Sequence, residues 1–189
     1  MDELLIHLKE KMKRAMYVHV LMIYEMVKES MPEFVLEIGT GQAQSARTIL
    51  IALEENKKGK LISIDLRDRS ARIPENLREY FIPIIGDSHN TEVFKDVSER
   101  FKQPFDLLLI DGDHSYEGVK KDFEMYVPLV KERGLILMHD ICNVNEGVKD
   151  FWREIKYPKV GLEYGGVKYG GGQIVPGMGI VQKIKNEEI

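Results

Sequence analysis

The sequence predicts an α/β fold: a doubly wound, mostly parallel seven-stranded sheet with helices on both faces and a C-terminal antiparallel hairpin. Five short runs consist almost wholly of Ile, Leu, Val and Phe, which is typical of strands buried on both faces of a parallel sheet. Segments with helical periodicity separate these runs, and this alternation favours right-handed crossovers and a doubly wound sheet. Two further strands near the C-terminus have no room for a helical crossover between them, so they should pair as a hairpin.

The N-terminal segment has the pattern of an amphipathic helix. Apolar side chains recur at spacings of three and four across residues 3–29, which predicts one long helix or two short ones. Pro32 ends this pattern. We therefore expect residues 1–31 to form a helical cap or interface segment on a single domain that spans residues 1–189.

From residue 34 onward, strands and helices alternate. The five buried strands are predicted at Phe34–Ile38, Leu61–Asp65, Phe81–Ile85, Phe105–Asp111 and Gly134–Asp140. Helices are predicted at residues 42–56, near Glu75, and at residues 91–101, 116–131 and 144–156. The hairpin strands are predicted at Lys159–Tyr164 and Gly179–Lys185, on either side of a glycine-rich loop at residues 165–177 that could act as a lid.

Composition excludes several classes of protein. The chain has 27 Lys and Arg against 31 Asp and Glu, and its formal net charge of −4 gives no global reason to expect nucleic acid or an anionic membrane as partner. The single cysteine, Cys142, rules out an intramolecular disulfide, and no Cys/His cluster has zinc-ligand spacing. The longest apolar run is too short to span a bilayer, and the first residues lack the pattern of a signal peptide. These features predict a cytoplasmic protein.

The residues that end the strands are the candidates for chemistry, because ligands bind outside the carboxyl ends of the strands in an open parallel sheet. Each of the five parallel strands ends in at least one acid, which is costly in a buried position unless something pairs with it. These strand ends are Glu37 to Gly41, Asp65, Gly86 to Ser88, Asp111 to His114, and His139 with Asp140.

Helix capping is the structural alternative for several of these residues, since Asp and Ser are favoured at helix N-termini. Asp113 and Ser115 are candidates to cap the helix near Tyr116, and Asp87 and Ser88 could cap the helix that follows them. His19 and His89 have no partner at a useful spacing, so surface or satisfied core positions are expected for both.

The first strand-to-helix turn discriminates between cofactors. Gly39 and Gly41 would let a ligand approach the backbone closely. Gln44 stands where a dinucleotide fingerprint has its third glycine, and Glu37 would face a pyrophosphate, so both argue against NAD. Asp65 follows Gly41 by 24 residues, where an acid accepts hydrogen bonds from both ribose hydroxyls. The pattern favours an adenosine cofactor without phosphate and with a cationic amino-acid end.

These strand ends resemble the cofactor site of the class I S-adenosylmethionine-dependent methyltransferases, whose fold is Rossmann-like. The resemblance covers residues 32–185. Its most specific part, IDGDHSYEGVKKDFEMYVPLVKERGLILMHD at Ile110–Asp140, is similar to the small-molecule O-methyltransferase branch known as methyltransferase family 24.

The resemblance implies a role for each matching residue in the binding of S-adenosylmethionine. Gly39 and Gly41 would pack against the methionine part, Asp65 would hold the ribose, and Asp87 and Ser88 would flank the adenine. Glu37 would lie beneath the turn or meet the ammonium group, while Ser45 would reach the carboxylate. The same resemblance assigns Thr40, Gly86 and Asp111 to the cofactor site.

A metal is the other group that the resemblance implies. In several relatives, acids that match Asp111, His139 and Asp140 bind a magnesium-like ion that orients the acceptor hydroxyl. His139 departs from that pattern, because Mg²⁺ prefers oxygen ligands and imidazole suits metals such as manganese, zinc or iron better. Asp111 and Asp140 alone could still hold Mg²⁺. The alternative is catalysis without a metal. In that case His114 or His139 would take the proton from the acceptor hydroxyl, and Asp111 would be part of the catalytic site.

The sequence thus predicts an S-adenosylmethionine-dependent methyltransferase that acts on a small molecule, at a hydroxyl oxygen, with Mg²⁺ or Mn²⁺ as a candidate metal. An NAD-dependent oxidoreductase and a non-catalytic adenosine-cofactor-binding protein are the alternatives. We expect a small-molecule acceptor and neither nucleic acid nor membrane as partner. The N-terminal segment is expected either to close over the acceptor or to form a homodimer.

Overall fold

A seven-stranded sheet forms the centre of the computed structural model, which describes residues 17–142, 147–163, 168–169, 173–174 and 177–185. The strands are β1 Phe34–Ile38, β2 Lys60–Asp65, β3 Phe81–Ile85, β4 Phe105–Ile110, β5 Val130–His139, β6 Lys159–Leu162, β7 Lys168–Tyr169, β8 Gln173–Ile174 and β9 Met178–Gln182. The α-helices are α1 Tyr17–Ser30, α2 Gln44–Asn56, α3 Thr91–Arg100, α4 Tyr116–Tyr126 and α5 Val148–Glu154. Short 3-10 turns lie at Ser70–Arg72, Glu75–Tyr80 and Val127–Leu129.

The strand order is β3-β2-β1-β4-β5-β9-β6, in which β1 to β5 pair in parallel. Strand β9 pairs antiparallel with both β5 and β6, which confirms the predicted C-terminal hairpin. Strands β1, β2 and β4 are almost wholly buried because helices cover the sheet from both sides. Helices α1 and α2 pack on one face, and α3, α4 and α5 pack on the other.

The largest error in a predicted boundary lies between the fourth helix and β5. The helix expected to run to Lys131 ends at Tyr126, and β5 begins at Val130 rather than at Gly134. Pro128 lacks an amide hydrogen and lies in a 3-10 turn that ends the helix. Val130 already pairs with Phe105, before a register shift in the β4–β5 ladder.

Other predicted bounds differ by a few residues, as in the last strand, which ends at Gln182 rather than at Lys185. Part of the N-terminal helical prediction, residues 1–16, lies outside the described residues, as do residues 143–146. The glycine-rich loop contains a small hairpin of β7 and β8 that the sequence did not predict. Within the described part of the chain, no helix is both long and apolar enough to cross a membrane.

The side chain of Asp106 fastens the amino-terminal ends of three neighbouring strands. Its Oδ2 accepts hydrogen bonds from the backbone N–H groups of Glu33 and Phe34, at 2.7 and 2.9 Å. Its Oδ1 accepts one from Lys131 Nζ at 2.5 Å, on β5. The carboxylate therefore fixes where β1 and β5 begin relative to β4.

We predict that Asp106→Ala lowers the free energy of unfolding by about 2 kcal/mol, because two backbone donors and a lysine lose a charged acceptor. Urea unfolding of the variant measures this loss. Asp96→Ala is the control, since Asp96 forms an exposed ion pair with Arg100 and its loss should cost less than about 0.5 kcal/mol. Equal effects of the two substitutions would contradict the prediction.

Candidate functional site

A cavity of about 580 Å³ opens at the carboxyl ends of the parallel strands. The residues that line it lie at or just after the ends of four strands: Ile38, Gly39 and Gly41 at β1; Ile64, Asp65, Leu66, Arg67 and Arg69 at β2; Gly86, Asp87, Ser88 and His89 at β3; Asp111, Gly112 and Asp113 at β4. Seven of the residues predicted for the cofactor site therefore lie together here: Gly39, Gly41, Asp65, Gly86, Asp87, Ser88 and Asp111.

The turn after β1 needs glycine at its first position. Gly39 has a φ of 92°, and a Cβ atom there would lie 2.1 Å from the carbonyl oxygen of Asp111. Two positions further on, Gly41 donates its backbone N–H to Asp65 Oδ2 at 2.8 Å. The backbone of β1 thus approaches β4 closely while the turn is fastened to the end of β2.

Asp65 is held as a carboxylate at the cavity wall. Its Oδ1 accepts hydrogen bonds from the Arg67 N–H and from Arg69 Nε, at 2.9 and 3.0 Å. Partial burial opposes ionisation, but the hydrogen bonds from Gly41, Arg67 and Arg69 lower the pKa of Asp65. An ionised acid at this place can accept hydrogen bonds from a ligand's hydroxyl groups.

Glu37 and Ser45 lie beneath this turn rather than in the cavity wall. Glu37 is fully buried, and its two carboxylate oxygens accept hydrogen bonds from Ser45 Oγ and Ser63 Oγ, both at 2.5 Å. Thr40 Oγ1 lies 2.6 Å from Ser63 Oγ and extends this network. Burial raises the pKa of Glu37 to about 7, although the two serine hydroxyls oppose the shift. The network ties β1, β2 and α2 together under the cavity.

The structure also shows which of the residues after β3 and β4 cap a helix. Asn90 caps α3, while Asp87 Oδ1 accepts the His89 N–H at 2.8 Å within the turn. Ser115 caps α4, as predicted, through its hydroxyl oxygen and the Gly118 N–H. Asp113 accepts the Ser115 N–H at 2.8 Å and is not the cap itself.

A cluster of two carboxylates and two imidazoles adjoins the cavity at Asp111. His139 Nδ1 lies 3.2 Å from Asp111 Oδ1 and 3.0 Å from Asp140 Oδ2. His114 Nε2 lies 3.2 Å from the same Asp111 oxygen, and its Nδ1 lies 3.3 Å from the same Asp140 oxygen. Basic and acidic groups therefore alternate around a closed ring of four side chains.

Ionisation within this cluster is strongly coupled. Burial opposes protonation of His139, but the neighbouring Asp111 and Asp140 raise its pKa to about 10. Burial likewise opposes ionisation of Asp111, yet His139 and His114 lower its pKa to about 2. His139 thus carries a proton between two carboxylates. The side chain of His114 is 33% exposed against 7% for His139, so His114 is the more accessible of the two imidazoles.

The donor set of the cluster fits a divalent metal ion. Asp111, His139 and Asp140 each offer a ligand atom, and these atoms lie within 4.8 Å of one another. His139 Nε2 is buried and has no hydrogen-bond partner among the described residues. Two carboxylates and one imidazole suit Mn²⁺ or a later transition metal better than Mg²⁺.

Two histidines of the site were not predicted from the sequence. His19 is fully buried on α1, and its ring meets that of His139 edge-on with the centroids 5.2 Å apart. Burial, and to a lesser degree the charge of His139, lowers the pKa of His19 to about 3. Its spacing of four from the buried Ile23 could have indicated an inward position. His89 lines the cavity, and its place directly after Gly86-Asp87-Ser88 is the signal that could have revealed it.

The fold is that of a doubly wound α/β protein, and its cavity lies at the point where strand order reverses. Residues 36–141 match a family model described as "Methyltransferase domain", and the chain belongs to this family, methyltransferase family 24. The three curated relatives that it matches are longer, since the chain spans 8%, 27% and 50% of their lengths.

The chain is also similar to three other proteins. Demethylmacrocin O-methyltransferase of Streptomyces fradiae is 27% identical over 111 residues, which are 57% of this chain and 27% of that protein. The structure of an O-methyltransferase from Bacillus cereus in complex with SAH has a TM-score of 0.71 at 15% identity, covering 98% of this chain and 92% of that one. The MycE methyltransferase of the mycinamycin pathway, in complex with Mg, SAH and mycinamycin VI, has a TM-score of 0.52 at 22% identity, covering 67% and 34%.

We predict that Glu37 makes stability depend on pH. Its folded-state pKa is raised from 4.5 to about 7, so its contribution to stability is complete below pH 4.5 and is lost as the pH rises through 7. Glu37→Gln cannot titrate. Relative to the parent protein, it should therefore gain on the order of 3 kcal/mol between these two pH values.

Urea unfolding at a series of pH values measures this difference. The exposed Glu29 provides the control, since Glu29→Gln should leave the pH profile unchanged. Parallel profiles for Glu37→Gln and the parent protein would show that Glu37 has an ordinary pKa in the folded state.

Proposed function

We propose that the protein transfers a methyl group from S-adenosylmethionine to a hydroxyl oxygen of a small-molecule acceptor. The position of Asp111 carries this proposal. Asp111 lines the cavity, and its carboxylate also belongs to the cluster of acids and histidines. A cofactor in the cavity would therefore meet an acceptor at the cluster. Membership of the methyltransferase family supports the proposal and does not favour the NAD-dependent alternative.

The cavity offers contacts to each part of S-adenosylmethionine. The turn at Gly39 and Gly41 would take the methionine part, and Asp65 would accept hydrogen bonds from the ribose hydroxyls. Asp87 and Ser88 would flank the adenine from the turn after β3. Glu37, Thr40 and Ser45 act indirectly in this proposal, because their buried network orders the turn from below.

In the proposed reaction, the protein aligns the acceptor with the cofactor and removes one proton. The acceptor oxygen attacks the sulfonium methyl in line, the carbon–sulfur bond breaks, and sulfur keeps the electron pair as S-adenosylhomocysteine forms. We assign the acceptor proton to His114, because it is the more exposed of the two imidazoles in the cluster. Asp111 and Asp140 orient the His114 ring and stabilise its charge.

A divalent ion is the second candidate for activation of the hydroxyl. Asp111, His139 and Asp140 would hold it, and it would polarise the acceptor oxygen and lower the pKa of the hydroxyl. The structurally similar MycE methyltransferase is in complex with Mg, which supports the proposal of a metal, and the imidazole of His139 makes Mn²⁺ the better match for this chain.

The acceptor side of the proposed site includes the N-terminal segment. His19 brings α1 against His139, which supports the proposal that residues 1–31 cap the site as part of a single domain. Homodimer formation through this segment and a cytoplasmic location remain predictions from the sequence.

Cofactor binding is the first test. S-Adenosylhomocysteine at about 100 times its Kd should stabilise the protein by about 2.7 kcal/mol in a thermal unfolding experiment, and NAD should have no effect. Asp65→Ala should weaken binding at least about tenfold, since it removes the acceptor for the ribose. Asp68→Ala is the matched control, because Asp68 lies in the same loop but does not line the cavity. Stabilisation by NAD alone would contradict the proposal.

The base is tested by transfer of a labelled methyl group to a panel of hydroxylated small molecules. His114→Ala should lower the rate about 100-fold or more while the affinity for S-adenosylhomocysteine stays within about twofold. Glu117→Ala, in the first turn of α4, should leave both unchanged. An unaltered rate in His114→Ala would remove the assigned role. Absence of transfer by the parent protein to the whole panel, despite cofactor binding, would favour the non-catalytic alternative.

A further inference from the structure

His89 and Asp122 form a pair at the wall of the cavity. His89 follows Ser88 and lines the cavity with 18% of its side chain exposed, whereas the side chain of Asp122, on α4, is fully buried. His89 Nε2 lies 3.1 Å from Asp122 Oδ1 and 3.1 Å from the carbonyl oxygen of Gly118. The two residues are 33 positions apart in the chain, so the fold brings them together.

The neighbours of Nε2 determine which nitrogen of His89 carries the hydrogen. The Gly118 carbonyl can only accept a hydrogen bond, and the Asp122 carboxylate accepts as well, so Nε2 must be the donor. In the neutral ring, Nδ1 is then an acceptor. Nδ1 lies 3.9 Å from Asp87 Oδ1, which is too far for a hydrogen bond between them. The wall therefore presents two acceptors side by side.

Asp122 also holds the residue before His89. Ser88 Oγ donates to Asp122 Oδ1 at 2.7 Å, and the Tyr126 hydroxyl donates to the Ser88 carbonyl oxygen at 2.8 Å. The other carboxylate oxygen, Asp122 Oδ2, is buried without a hydrogen-bond partner among the described residues. A carboxylate in that state costs folding free energy, so its contribution lies in the residues that it orients.

We propose that His89 determines the specificity for the base of the cofactor, and that Asp122 is its positioning residue. His89 Nδ1 and Asp87 Oδ1 together accept hydrogen bonds from one amino group, which matches the exocyclic amine of adenine. A 6-oxo base offers an acceptor at that place and is disfavoured. This inference rests on the proposed function, because it takes the cavity to be the site of S-adenosylmethionine.

The test compares two ligands that differ at this one group, S-adenosylhomocysteine and S-inosylhomocysteine, by calorimetric titration. The parent protein should bind the adenosyl compound about tenfold more tightly, as expected for one well-placed hydrogen-bond donor. His89→Ala should lower this ratio severalfold by weakening the adenosyl compound alone. Arg67→Ala, at another part of the cavity wall, is the control and should change both affinities alike.

Two variants of Asp122 separate orientation from packing. Asp122→Asn retains an oxygen that accepts the His89 Nε2 hydrogen, so the ratio of the two affinities should persist. Asp122→Leu has a similar size without an acceptor, and the ratio should fall towards that of His89→Ala. Unfolding of each variant without ligand shows whether the fold is intact.

The outcomes distinguish this inference from the proposed function. A ratio near one in the parent protein, or an equal loss of both affinities in His89→Ala, would overturn the role of His89 while adenosyl binding would still support the methyltransferase. Failure of the parent protein to bind either compound would overturn the proposed function, and the role of His89 with it.

Discussion

The close approach of β1 to β4 is the constraint on which the site depends. The chain passes from β1 to β2 on one side of β1 and later to β4 on its other side, so the crevice opens between β1 and β4. Backbone hydrogen bonds extend the sheet past its last paired residues, from Gly39 N–H to Ile64 O and from Asp111 N–H to Ile38 O, both at 2.9 Å. Only a residue without Cβ fits where Gly39 meets the Asp111 carbonyl. This contact places the acid that the cavity and the histidine cluster share.

Glu37 and Asp111 lie at the ends of neighbouring strands, and the side chains around each of them give the two acids different roles. Burial disfavours the charged form of both Glu37 and Asp111. The partners of Glu37 are neutral hydroxyl groups, which offset little of that cost, and its pKa rises to about 7. Asp111 faces two imidazoles that can carry positive charge, and its pKa falls to about 2. Glu37 is thus suited to hold the structure together. Asp111 stays negatively charged beside the imidazole of His114, which gains a proton in the proposed reaction.

The sequence predicts the sheet well because burial on both faces leaves a strong local signal. Strands β1 and β3 have the predicted bounds. The end of α4 was mispredicted, since the pairing of Val130 with Phe105 is a contact between distant parts of the chain. The same distinction applies to the site. Strand-end acids could be found because the topology gathers them, whereas His19 and His89 acquire their roles from His139 and Asp122, which are far away in sequence. No pattern within a short stretch of sequence indicates such a partner.

The histidine cluster shows that His139 is compatible both with catalysis by a metal ion and with catalysis without one. Without a metal ion, its proton offsets the negative charge of Asp111 and Asp140 and leaves His114 as the accessible base. A metal ion in the same place would have to replace that proton, because an imidazole binds metal only in its neutral form. Metal affinity would then increase as the pH rises towards the His139 pKa of about 10. A carboxylate at position 139 would add a third acid to the cluster and would leave His114 as its one imidazole. The imidazole therefore offsets part of the negative charge when no metal ion is bound and offers a ligand when one is.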